Sequence, residues 1–445
     1  MPKTVTSLKP MHLLLAAAAL ACAWLALPTA ASRADIGGAK THKVAAGHIS
    51  GGARFSCAIV GDGDVRCWGR GDNAELGLDS TADIGDDETP DSVGPIDLGA
   101  KAKAISSGFY HTCAIDQNSD LRCWGANYDG ALGYGDTEAI GDDETPASAG
   151  TVDLDGLSVK SLATGGYHTC VVLDNGRLRC WGQGSQGQLG YGKKGNIWDA
   201  AKAGNVNVGK GRTVKAVAAG GFHTCAILDN GKVRCWGLAN FGQTGHATKK
   251  TIGDDETPAA SPYVDLGKGR KAVAITAGYL HTCALLDNGS VRCWGRGSSG
   301  QTGHASKATV GDNEKVAQVP PVRLGKGQKA VAISAVGQHT CAILKKGGKV
   351  LCWGTGKYGQ LGYGNETKIG DDESPGSVGA VKLGGKAVAI QAGGRHTCAV
   401  YSQGKVRCWG LNTNGQLGYG NKTQIGDNEK PDQAGPVQLG GTVSG

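Results

Sequence analysis

The stretch HTCVVLDNGRLRCWG, residues 168–182, carries a histidine, two cysteines and a tryptophan around an Asp-Asn-Gly turn. These residue types at this spacing admit three chemistries. His168 and Cys170 share a strand face at i and i+2, and Cys180 on a returning strand would complete three ligands of a zinc site. The two thiols could instead form a redox pair, or be bonded to each other and inert. A catalytic constellation normally occurs once in a chain, whereas a structural unit recurs. Cys-Trp-Gly occurs seven times, starting at Cys67, Cys123, Cys180, Cys235, Cys293, Cys352 and Cys408. His-Thr-Cys precedes it six times, ending at Cys113, Cys170, Cys225, Cys283, Cys341 and Cys398, while the first copy reads Phe55-Ser56-Cys57. Successive first cysteines lie 56, 57, 55, 58, 58 and 57 residues apart.

The element that positions the cysteines is a β-hairpin closed by the Asp-Asn-Gly turn. With Asp174, Asn175 and Gly176 as a three-residue loop, Leu173 faces Arg177 and Cys170 falls opposite Cys180. Six pairs are ten residues apart, and Cys341 and Cys352 are eleven apart, with one extra loop residue in KKGG. A change of spacing matched by a change of loop length implies that the two sulfurs must face each other. Opposed antiparallel residues lie about 4.5–5.5 Å apart at Cα, within disulfide reach. Seven local disulfides are therefore expected. Two observations weigh against the zinc alternative: the first repeat keeps Cys57 and Cys67 with Phe55 in the histidine position, and no Cys-x-x-Cys supplies a second thiolate pair. The histidines read as hydrogen-bonded structural groups.

A period that fills most of 445 residues argues for one domain of stacked units. With 76 glycines and only four phenylalanines, many thin cores fit better than one large aromatic core. Residues 1–34 have a basic start, an apolar run from Leu13 to Leu27 and small residues near Ala31 and Ala34, the layout of a secretory signal peptide. A lipid-anchored start at Cys22 is the less favoured alternative. Lys3, Lys9 and Arg33 account for three of the +7 net charge, and the remainder is mixed with acids, which argues against a nucleic-acid surface. The mature chain, residues 35–445, is expected to be a secreted, periplasmic or cell-surface monomer without a membrane span.

Around each hairpin lie a small-residue strand such as KAVAITAGY (271–279), a turn-rich WGxxxxGQLGYG segment, and a short closing segment such as YVDLG (263–267). About four short strands per period and no helical periodicity describe a propeller blade. The segments AGGFHTCAILDNGKVRCWGLANFGQTG (219–245) and HTCAVYSQGKVRCWGLNTNGQLGYG (396–420) resemble the repeat of the regulator of chromosome condensation family. The resemblance covers about residues 45–440 and implies an all-β fold, a single seven-bladed β-propeller of about 57-residue repeats. Its repeats would run over 45–100, 101–157, 158–213, 214–269, 270–328, 329–385 and 386–445. The first repeat lacks a Val-x-Leu-Gly strand ahead of it, and the chain ends in PVQLG (436–440) with no hairpin after it. One blade should therefore be completed by strands from both termini, closing the ring.

Residues common to every unit build the unit, so binding is sought where the copies differ. Before the repeated histidine stand Tyr110, Tyr167, Phe222 and Leu280, an apolar run over consecutive blades, followed by Gln338 and Arg395, with Arg54 equivalent in the first repeat. Such a one-sided stripe suits a protein partner. Tyr128, Phe241 and Tyr358 vary in the loops after Trp-Gly, and the third repeat replaces the acidic IGDDETP loop with KKGNIWDAAKAGN, bringing Lys193, Lys194 and Trp198. The acidic loops could gather oxygens for calcium, but they lack the Asp-x-Asp-x-Asp spacing and read as turns before proline. No cofactor, metal or catalytic residue is expected. The leading reading is an exported, non-catalytic scaffold that binds a protein, with a cell-surface protein or glycan as candidate partner. The alternatives are an exchange-factor-like regulator by family analogy, a carbohydrate or cell-wall binder, and a sialidase-like propeller.

Overall fold

The computed structural model describes residues 47–443. The expected leader 1–34, with Cys22, lies outside the described residues. Seven three-stranded antiparallel sheets follow one another along the chain. Blade two is representative, with an inner strand Ala102–Ser107, a middle strand His111–Asp116 and an outer strand Leu121–Gly125.

The register follows from the turn. Leu173 N–H donates to Arg177 O at 2.9 Å, leaving the three-residue loop that sets Cys170 opposite Cys180. In blade six Leu344 donates to Lys349 instead, so the loop is one residue longer and Cys341 still faces Cys352. Each of the seven pairs is bonded, with Cα atoms 4.0–4.1 Å apart. Inner strands are rich in alanine and end in glycine because backbones crowd there: a Cβ on Gly108 would strike the carbonyl of Gly165 in the next blade.

Blades are joined through the recurrent side chains. All seven Cys-Trp-Gly tryptophans are fully buried. Each indole N–H crosses to the preceding blade, as Trp236 does to Gln188 O at 2.9 Å and Trp294 to Gln243 O at 2.9 Å. A buried indole thereby gains both apolar burial and a hydrogen-bond partner. The same bond joins the first blade to the last, from Trp68 to Gln416 O at 3.0 Å.

Two details differ from the sequence reading. The Val-x-Leu-Gly segment is not a fourth strand; it lies along the outer strand on one backbone bond, as in Val264 N–H to Val233 O at 2.9 Å. The PVQLG segment also belongs to blade seven, where Val437 donates to Val406 O at 2.9 Å, and does not complete blade one. What reaches blade one is the next turn of chain: Val443 bridges Val60, and Gly61 donates to Thr442 O at 3.1 Å. Val443 takes the place on Val60 that Ala102 takes on Asp116 in blade two, ahead of the short N-terminal strand Ile49–Gly51.

Candidate functional site

The histidines are consumed by the scaffold. Each Nε2 meets a hydroxyl of the next blade: His111 with Thr169, His168 with Thr224, His223 with Thr282, His281 with Thr340, His339 with Thr397 and His396 with Ser56, at 2.8–2.9 Å. The threonine and serine hydroxyls donate onward to backbone carbonyls, for example Thr224 to Gln188 O at 2.8 Å. The hydroxyl proton is thus committed, and Nε2 must carry the hydrogen. Burial pushes His168, His223, His281 and His339 down to about 3, and His111 and His396 to about 4. Neutral imidazoles beside oxidised sulfurs are mechanical parts, and the ligands of the zinc alternative are committed to other bonds.

The acidic loops are stitched in the same manner. Glu88 accepts from Gly85 N–H at 2.9 Å within its own turn. The first aspartate of a loop faces a lysine from the preceding blade: Lys422 with Asp86 at 2.9 Å, Lys194 with Asp254 at 3.4 Å, Lys249 with Asp312 at 3.3 Å and Lys307 with Asp371 at 3.6 Å. Lys194 therefore serves a seam between blades, whereas Lys193, equally exposed, forms no ion pair among the described residues.

The departures from the repeat gather on one face, at the end of the strands where the histidines begin. Two inner positions that are glycine in blades three, four, six and seven are Phe109 in blade two and Tyr279 in blade five. Their rings stack at 5.4 Å between centroids, joining non-adjacent blades. Around them Tyr110 meets Tyr167 at 5.7 Å, Tyr167 stacks on Phe222 at 6.1 Å, and Phe222 meets Tyr279 edge-on at 5.7 Å. Phe109 touches Tyr110 and Tyr167 at 6.4 Å and closes a five-ring cluster whose members are all half-buried. Burial, followed by the neighbouring Tyr110, pushes the Tyr167 phenol up to about 12, so this phenol stays neutral across the physiological range.

Of the residues singled out from sequence, Tyr110, Tyr167 and Phe222 are brought together here. Leu280, 8% exposed, is buried and makes no part of the open surface. Tyr128 and Trp198 are well exposed, at 67% and 49%. Trp198 lies against Gly130, two residues from Tyr128, so both stand at the outer edge of blades two and three. Phe241 and Tyr358 are half-buried beneath the guanidinium groups of Arg296 and Arg395, at 5.3 and 5.1 Å. Phe109 and Tyr279 were missed by the sequence reading. The signal was present, since SGFYHTC and AGYLHTC break a glycine kept in four sister repeats.

The description "RCC1-like domain" matches residues 25–368, and "Regulator of chromosome condensation (RCC1) repeat" matches 347–400 and 387–416. The chain belongs to the RCC1-like family. It is 32% identical over 374 residues to the ultraviolet-B receptor UVR8 of Arabidopsis thaliana, covering 84% of this chain and 78% of that protein. Human HERC2, an E3 ubiquitin-protein ligase, is 28% identical over 355 residues, but the match spans 79% of this chain and only 7% of that protein. Among solved structures, Saccharomyces cerevisiae Prp20p, whose binding to Gsp1p and histones is described, superposes with a TM-score of 0.64 at 20% identity. That alignment covers 84% of this chain and 87% of that one, and human WBSCR16 gives a TM-score of 0.64 at 20% identity over 82% and 92%. These two likenesses establish the RCC1-like propeller fold.

Proposed function

We propose that this RCC1-like protein is an exported, non-catalytic scaffold that holds a protein partner against the face carrying the five-ring cluster. The observation that carries the reading is the break in sevenfold symmetry. A scaffold needs no aromatic side chain where four sister blades have glycine, yet Phe109 and Tyr279 leave the repeat pattern and meet Tyr110, Tyr167 and Phe222. Half-buried aromatic groups of this kind dominate protein interfaces. Export is supported by the expected leader at 1–34 and by seven disulfides, which persist in oxidising compartments. The relatives' own partners support protein binding as a family habit, and the fold alone assigns none of them to this chain.

The test restores the glycines. Phe109→Gly with Tyr279→Gly returns both positions to the residue found in the sister blades, so the fold is kept. A partner recovered from the native extract on immobilised wild-type protein should be lost on this variant and retained on an Asn175→Ala control at the opposite, hairpin-turn end. Equal recovery on all three proteins contradicts the reading.

A further inference from the structure

Resting on the reading that this face binds a protein, we propose that the partner segment is acidic as well as apolar. Its carboxylates meet Arg54 and Arg395 while its apolar side chains cover the five rings. The position before each repeated histidine, and before Phe55 in blade one, reads, from blade seven round to blade six, Arg395, Arg54, Tyr110, Tyr167, Phe222, Leu280 and Gln338. The two arginines are neighbours across the seam between the last and first blades, where Gly394 N–H donates to Gly52 O at 2.8 Å and a Cβ on Gly394 would meet Ala53 O at 2.6 Å. Ala53 in turn donates to Phe109 O at 3.2 Å, so the backbone carrying Arg54 adjoins that of the aromatic cluster, while the Arg395 guanidinium lies over the Tyr358 ring at 5.1 Å.

Charge complementarity decides the partner. Many cations of this chain face carboxylates, including four lysines at the blade seams. Among the described residues, Arg54, Arg395, Arg296 and Lys357 form no ion pair with a carboxylate. Arg70, whose N–H donates to the carbonyl of Arg54, is already neutralised by Asp72 through a 2.7 Å bond. Of the four cations without an ion pair, Arg54 and Arg395 stand at the seam next to blade two, and guanidinium groups favour bidentate carboxylates. Asp72 and Asp129 flank the aromatic arc, Asp72 paired with Arg70 and Asp129 held by Gln183 at 3.1 Å and Asn196 at 2.8 Å, so the carboxylates of a partner are directed to the arginine side of the rings.

A dodecapeptide array tests this, with the number of Asp and Glu varied independently of the number of Leu, Phe and Tyr, probed with the intact disulfide-bonded protein. Retention should require both features. It should fall about tenfold or more for Arg54→Glu with Arg395→Glu, and that variant should gain retention of Lys-rich apolar peptides. Loss of retention with Phe109→Gly and Tyr279→Gly, but none on charge reversal, overturns the acidic partner and leaves the protein-binding face standing. No change in either variant overturns both. Retention of an oligothymidylate in place of peptides overturns the proposal as well.

Discussion

Six neutral imidazoles sealed between blades make this propeller acid-sensitive, and the effect can be worked out from their positions. His111, His168, His223, His281, His339 and His396 are fully buried and pushed down to about 3 or 4 by burial. In an unfolded chain a histidine titrates near ~6.5. The unfolded state therefore binds more protons between those values, so stability is complete above about pH 6.5 and falls as pH drops toward the folded pKa. Between pH 7 and pH 5 each site costs about 2 kcal/mol, and six together cost on the order of 10 kcal/mol, comparable with the ~5–15 kcal/mol of a typical domain. Glu75, Glu88, Glu144 and Glu373 act in the opposite direction, because burial raises their pKa and folding takes up protons as pH falls. The assay is urea unfolding of the oxidised protein at pH 7.5 and pH 5.0, followed by tryptophan fluorescence. The midpoint should drop steeply at pH 5.0. His281→Phe, which copies Phe55 of blade one, should reduce the pH-dependent loss by about a sixth if the six sites contribute equally. An unchanged midpoint between the two pH values would refute the argument.

Other consequences are open to direct measurement. Removing residues 442–445 deletes the Val443 bridge to Val60 and should lower the melting temperature by several degrees; a coincident melt would show that this seal is dispensable. Replacing Cys341 and Cys352 together by alanine should cost up to about 3 kcal/mol of unfolding free energy, read as a lowered denaturation midpoint without loss of the β-sheet dichroism. Trp236→Phe removes one of the two donors to the Gln188 carbonyl, which Thr224 still serves, and leaves a cavity in place of the indole's second ring, an expected loss of about 1–3 kcal/mol. Gly108→Ala drives a methyl group into Gly165 O and the His111 ring, and should destabilise by about 1–3 kcal/mol, whereas Gly94→Ser, with open space around it and no positive φ, should matter less.

The cysteine register was legible because a hairpin converts loop length directly into cross-strand pairing, so the KKGG insertion and the eleven-residue spacing of Cys341 and Cys352 explain each other. The blade count was legible from repetition alone. The outer Val-x-Leu-Gly segment reads as a strand because its residues suit one, but it meets the outer strand through a single backbone bond, and no residue pattern reports how many bonds a segment makes with its neighbour. The unmatched ends point to closure by both termini but not to the residues that make it, because Thr442 and Val443 are too few to show a strand period. At the site, aligning the copies on histidine drew attention to the residue just before it and away from Phe109 and Tyr279 one step further. Leu280 was grouped with the aromatics by position, and its burial comes from tertiary packing that the repeat pattern does not encode.

The proposed function requires that the asymmetric aromatic face, and no other surface, receives the partner. Site-specific photo-crosslinking in the native extract measures this directly, with a photoreactive residue at Tyr167 in one protein and at Asn175, on the opposite end of the same hairpin, in another. A discrete adduct is expected from position 167, abolished by Phe109→Gly with Tyr279→Gly, and none from position 175. An adduct from position 175 alone, or one from 167 that survives the double substitution, would contradict it.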